Sequence, residues 1–289
     1  MDASAARRLW LVGEPIHALP YFAQPAFDAW EAAGITGFWR GYFATRAAPF
    51  GEVGPGPVVA AFYNFEPAMV AKALPSVWAL ASPAAALEAR LAGTDAALRA
   101  VVGEPVTAGP LGTSVRDLRD AVDACPVAGR ALFGANASLP WPDEPHLAVW
   151  HGLTCLREHR GDGHNANLLA AGIDGCQAHV LAAAVGGAPR DVTQPTRGWS
   201  DEQWDAAAAD LADRGLVLAD GGATPAGRAL HARVEAGTDE LAAEPWRRIG
   251  PDRLGAVEAA LLPWARAIQD AGVIRQPNPM GLPPLPDRG

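Results

Sequence analysis

The stretch RGWSDEQWDAAAADLADRGLVLADGGATPAGRALHARVEAGTDEL, residues 197–241, decides the fold. Ser200 stands immediately before a helical run, where its side-chain oxygen can accept from N–H groups that lack an intrahelical partner. Gly215 supplies the C-terminal stop. Leu211, Leu216 and Val217 form an apolar exit, and ADGGA leaves room for a short turn. TPAGRAL then opens a second, longer helix. Small strands are expected at 217–218 and 223–224.

Helix, short hairpin and long helix in that order form the layout of a winged helix, whose first helix ordinarily enters DNA. Here that helix carries Asp201, Glu202, Asp205, Asp210 and Asp213, with no Lys or Arg before Arg214. Phosphate contacts supply most non-specific DNA affinity, so an acidic helix offered to a polyanion is repelled. The formal net charge of −9 points the same way. The layout says DNA reader, the charge opposes it, and DNA is not expected as a partner.

With 289 residues, 49% hydrophobic and 19% charged, the chain is globular and long enough for one large or two ordinary domains. It has no run of about 18 apolar residues, so no spanning helix and no membrane partner are expected. The N-terminus lacks an apolar stretch long enough for a signal peptide, which leads us to expect a cytoplasmic protein. Cys125, Cys155 and Cys176 lack CxxC spacing and are expected to be reduced.

The expected division is an N-terminal arm over 1–25, a degenerate winged-helix-like unit over 26–140, a winged-helix unit over 141–274 and a Pro-rich tail over 275–289. The fold class is therefore mainly α, with small wing strands. The two units read as a fused pseudo-dimer: a shift of 111 residues aligns Trp39, Gly41 and Arg46 with Trp150, Gly152 and Arg157. Within the second unit, the helix opening at 146 is expected to stop at Gly161 and Gly163. Either a monomer or a homodimer suits such a chain.

The GRAL sequence after a short wing resembles the MarR group of winged-helix regulators over about residues 150–245. That resemblance implies a helical interface above winged helices, with small aromatic ligands bound between the parts. The phrases YFATRAAPFG, FYNFEPAMVAKALP, LPWPDEP, LREHRGDGHNA and RGWSDEQW resemble an actinobacterial family described as MarR-like or helix-turn-helix, which implies a fold and no settled activity. The chain departs from a regulator at both DNA-gripping devices. SDEQWDAAAAD replaces the usual Ser, Thr and Arg surface, and ADGGA replaces a long basic wing.

The densest polar cluster is HGLTCLREHRGDGHN, residues 151–165. Helical spacing puts His151, Cys155, Glu158 and His159 on one face, and a turn at the glycines would fold His164 back toward them. His151, Glu158, His159, Asp162 and His164 are the candidate catalytic set. His159 or His164 would act as acid or base, with Glu158 or Asp162 orienting it. Arg157 and Arg160 would hold a substrate oxygen. The bland reading stays open beside this one, with the arginines pairing with Glu158 and Asp162 to tie helices at a seam. A metal held by His151, His159 and His164 would lack recognised ligand spacing, and no metal is expected. Trp39, Tyr42, Arg46, Tyr63, Asn64 and Trp150 are the remaining candidate lining of a small-molecule pocket between the units. No GxGxxG, GxxxxGK[ST] or GxSxG occurs, so no nucleotide cofactor is expected. These residues lead to a cofactor-independent acid/base enzyme of specialised metabolism (isomerase, lyase, hydrolase or cyclase). The alternative is a MarR-type ligand-responsive regulator.

Overall fold

Why each helix starts where it does is written in its caps. The Ser82 hydroxyl accepts from Ala85 N–H and the Thr224 hydroxyl from Gly227 N–H. Asp174 with Gln177, and Ser200 with Gln203, close reciprocal capping boxes. The computed structural model describes residues 3–103, 106 and 111–286. Among them are α1 (Ala3–Ala18), α2 (Gln24–Ala32), α3 (Phe38–Ala47), α4 (Pro55–Phe62), α5 (Pro67–Ala73), α6 (Pro83–Val101), α7 (Gly112–Asp123), α8 (Ala131–Ala137), α9 (Pro145–Ala170), α10 (Gly175–Ala184), α11 (Arg190–Arg197), α12 (Asp201–Asp213), α13 (Pro225–Ile249) and α14 (Pro251–Asp270).

Helix α9 is the axis. It packs on α1, α7, α8 and α13, and α1 packs in turn on α13 and α14. One apolar core joins α1, α6, α7, α9, α13 and α14 around Trp150, Trp246 and Trp264. A second, aromatic-rich core fills α2 to α5. A third lies under α10, α12 and the start of α13. No single helix among the described residues is long and apolar enough to cross a membrane.

Four expectations need correction. The wing strands reduce to one antiparallel bridge, Val217 with Ala223, and no strand forms among the described residues. The turn closes immediately, since Leu218 N–H already bonds Gly222 O, while Ala223 N–H leaves the hairpin for Ala184 O. The segment read as an arm is helix α1, with Leu9, Val12 and Ile16 buried in the core. The helical pattern that the sequence shows from Ala26 to Ala48, expected as one run, divides into α2 and α3 at Gly34 and Gly37, which both adopt positive φ. Helix α9 does not stop at Gly161 and Gly163 but runs on to Ala170. Gly163 is there for close packing: a Cβ would lie 2.8 Å from Arg130 Nη1 and 3.3 Å from Leu241. Tertiary contact thus outweighs the helix penalty of about 1 kcal/mol per glycine.

The 111-residue offset has a packing counterpart. A Cβ on Gly41 would lie 2.3 Å from the Trp30 ring, and one on Gly152 would lie 3.1 Å from the Trp141 ring. Trp30 and Trp141 are themselves 111 apart in the chain.

Candidate functional site

Two features of this fold bear on function: the outer face of α12 and a cavity beside α9. On α12, Trp204, Ala207 and Leu211 point into the core. Asp201, Glu202, Asp205, Asp210 and Asp213 stay on the exposed side. Arg190 bridges Asp201 and Asp205, each at 2.7 Å, so the nearest cation is already spent on the helix's own carboxylates.

The cavity, of about 100 Å³, lies where α3, α4, α9 and α11 meet. Its wall begins with Glu158, which α9 carries into the interior. Arg46 Nη2 donates to Glu158 Oε1 at 2.8 Å, and Arg157 Nη1 donates to Oε2 at 2.7 Å. Burial alone would raise this carboxyl, but the Arg157 and Arg46 guanidiniums win and hold it at about 2. Arg46 also donates to the Tyr42 hydroxyl at 2.8 Å and lies over the Phe62 ring at 4.3 Å. Arg157 reaches the buried Glu14 at 3.5 Å.

Asp162, one turn beyond Glu158, behaves oppositely. Its Oδ2 accepts from Phe133 N–H at 2.9 Å, but burial dominates and raises it to about 6. It is therefore the carboxyl lining this cavity whose proton is exchangeable near neutral pH. His164 sits at the rim, its Nδ1 3.0 Å from Thr238 Oγ1 and 3.7 Å from Glu235. Burial keeps its imidazole below the ordinary range, against the pull of Glu235.

The expected site is thus divided by α9. Tyr42, Arg46, Asn64, Arg157, Glu158, Asp162 and His164 all line the cavity. His151 and His159 do not, contrary to the single catalytic face expected from spacing. His151 stacks edge-on against Trp141, and burial lowers it to about 4. His159 abuts Phe133, and burial lowers it to about 3. Arg160 turns away from this cavity, to Asp239 at 2.9 Å, and with Arg157 and His159 lines a separate cavity beside α1. Trp150 is core, with Nε1 donating to His17 O. Trp39 backs the cavity through Tyr42 and Phe65. Tyr63, at φ 58°, closes the break between α4 and α5 and donates to Ile173 O. With the histidines so dispersed, no three His, Cys, Asp or Glu side chains among the described residues form a metal-binding group.

Sequence reasoning missed Arg197. Helix α11 delivers it to the same cavity, over the Phe65 ring at 4.7 Å. Its Nη2 donates to Pro279 O at 2.8 Å. Burial lowers it to about 10; Tyr42 opposes that and Arg46 and Arg157 reinforce it. The available signal was its place in RGWS, one residue before Gly198, whose positive φ lets the backbone close against Met69. Asn165 was missed too. It lines the wall and donates to Ala61 O at 3.0 Å.

A family model described as a helix-turn-helix family matches residues 6–275. No curated protein and no solved structure matches the chain.

Proposed function

The chain belongs to that helix-turn-helix family, and on this premise we propose that it is a small-molecule-binding member that performs proton-transfer chemistry rather than DNA reading. The observation that carries this reading is the pairing of two carboxyls on one cavity wall, Glu158 held ionised and Asp162 raised to about 6. Environments that push two acids apart assign them different roles. Glu158 fixes the Arg46–Arg157 wall, and Asp162 takes and returns a proton. The cationic wall stabilises negative charge developing on the ligand. The sequence carries no nucleotide-binding loop, so the reading needs no nucleotide cofactor.

The finer fold reading belongs with it. Helices α10 to α13, with the Val217–Ala223 bridge, support a MarR-like winged-helix arrangement whose wing has shrunk to its turn. The repeated indole-over-glycine contact supports an internal duplication that brings Arg46 and Arg157 to one carboxylate.

The test uses a small-molecule extract and the intact protein. A species consumed by the wild type, and bound but not consumed by Asp162→Asn, supports turnover. A species bound by both and consumed by neither removes the enzyme and leaves the binder. No retained species removes both. The second reading is a ligand-responsive regulator, favoured by the family itself. Tight, salt-sensitive DNA binding would establish it and overturn the enzyme.

A further inference from the structure

Resting on the cavity reading above, we propose that the ligand is a small monocarboxylate, seated with its carboxylate on the Arg197 guanidinium and a hydrogen-bonding group near Asn64.

Charge pairing comes first. Arg46 and Arg157 face two buried carboxylates, Glu158 and Glu14. Arg130 lies within electrostatic reach of Asp162. Arg197 has no ion pair among the described residues, and the ionisable groups acting on it are the phenol of Tyr42 and the guanidiniums of Arg46 and Arg157, none of them a carboxylate. One cation on the cavity wall is therefore uncompensated. Arg197 is part-buried with its Nε shut away from water, and a charge so held without a counter-charge carries a cost that a bound anion offsets.

Unmet hydrogen bonding comes second. Six buried side-chain polar atoms among the described residues lack a partner, and three of them belong to lining residues: Arg46 Nε, Arg197 Nε and Asn64 Oδ1. Arg46 is itself 6% exposed, so its free N–H is a built feature of the interior. The other lone guanidinium, Arg90, is off the cavity and already gives Nη1 to Thr45 O and Asn136 Oδ1.

The count of charges selects the class of anion. A single surplus positive charge matches one carboxylate. A phosphate dianion would bring its second charge toward Glu158 and Asp162, which share the cavity. The Phe65 ring covers a face of the Arg197 guanidinium, Nη1 and Nη2 each give one N–H to Thr196 O and Pro279 O, and the edge formed by the unpartnered Nε and the remaining N–H of Nη2 is the planar part left to recognise a carboxylate.

The experiment follows thermal unfolding of the full chain at pH 7 and constant ionic strength, with sodium lactate, lactamide or inorganic phosphate added. Lactate should raise Tm saturably, with half-saturation at least tenfold below that of lactamide or phosphate. Arg197→Met should lose the lactate response while melting no lower than wild type. Arg197→Lys, which keeps the charge and loses the planar fork, should weaken the response at least tenfold. An undiminished lactate response in both variants, or phosphate saturating before lactate, overturns the proposal. Equal saturable protection by lactamide and lactate overturns the carboxylate and retains the cavity. No saturable protection by any probe overturns both.

Discussion

Asp162→Asn should make this protein more stable at neutral pH and change nothing in acid. The carboxyl is raised from 3.8 to about 6 on folding, chiefly by burial. Below 3.8 it is protonated in folded and unfolded chains alike, so it contributes no difference. Between 3.8 and 6 the unfolded chain ionises first, and stability falls as pH rises. Above 6 the penalty is complete. Each tenfold change in proton affinity is about 1.4 kcal/mol, which puts the penalty at about 3 kcal/mol. Asn stays neutral throughout, and its Oδ1 can still accept from Phe133 N–H. Five imidazoles, the buried His17, His151, His159 and His179 and the part-buried His164, are lowered on folding, so they destabilise the fold as pH drops below 6.5. That effect is common to both proteins and cancels in their difference. Urea unfolding of the two proteins at pH 4, 5, 6 and 7 measures it. The gap should be about 0.5 kcal/mol at pH 4 and grow to about 3 kcal/mol by pH 7, roughly 5 °C in Tm for a chain of this size. A gap that is the same at every pH refutes the account of Asp162.

Glu158→Gln should act in the opposite sense. Glu158 moves from 4.5 to about 2, so its stabilisation is present above 4.5 and is lost as pH falls toward 2. The variant should lose about 3 kcal/mol at pH 7, with no such loss left to occur in acid. Gly175→Ala should cost about 2 kcal/mol in chemical unfolding, because its Cβ would lie 2.2 Å from the Tyr63 carbonyl oxygen, where α10 meets the α4–α5 break. Gly56→Ala, inside α4 with open space around the new methyl, should instead gain about 0.5 kcal/mol. In a heparin-column and gel-shift assay at 50 mM salt, wild type should pass through and leave duplex DNA unshifted. Retention that falls steeply with salt would contradict the charge argument.

Sequence alone revealed the helical class and the Ser200 cap of α12, and it named about half of the residues that line the cavity. Glu158, Asp162 and Arg157 were legible because they stand in the densest polar cluster of the chain at helical spacing, and Arg46 because the 111-residue offset pairs it with Arg157. The wrong assignments share one physical cause, the limits of local rules. Gly161 and Gly163 read as a stop, but Arg130 and Leu241 press on that surface from other helices, and local propensity is weaker than tertiary packing. The histidines shared a helical stripe, but a stripe on a buried helix meets several neighbours. Trp141, Phe133 and Thr238 each took one imidazole. Arg197 was invisible for the complementary reason. Nothing near it in sequence is apolar enough to announce burial; it is enclosed by Phe65, Tyr42 and Pro279 from far along the chain.

The position of Arg197 also decides how the two functional readings relate. It is the last residue of α11, three residues before the Ser200 cap of α12, and its own carbonyl accepts from Glu66 N–H at 2.9 Å. An anion that draws on this guanidinium would therefore act at the connection between α11 and α12. A regulator and an enzyme would share that linkage, since it follows from the placement of one side chain. They part at α12. In a regulator, the motion would move a cationic surface on or off phosphates. Here α12 presents Asp201, Glu202, Asp205, Asp210 and Asp213, so the same motion would offer a polyanion only a repelling surface. A coupling without a nucleic-acid readout leaves the cavity as the place where ligand binding has its effect, and this favours chemistry on the ligand over transmission to DNA.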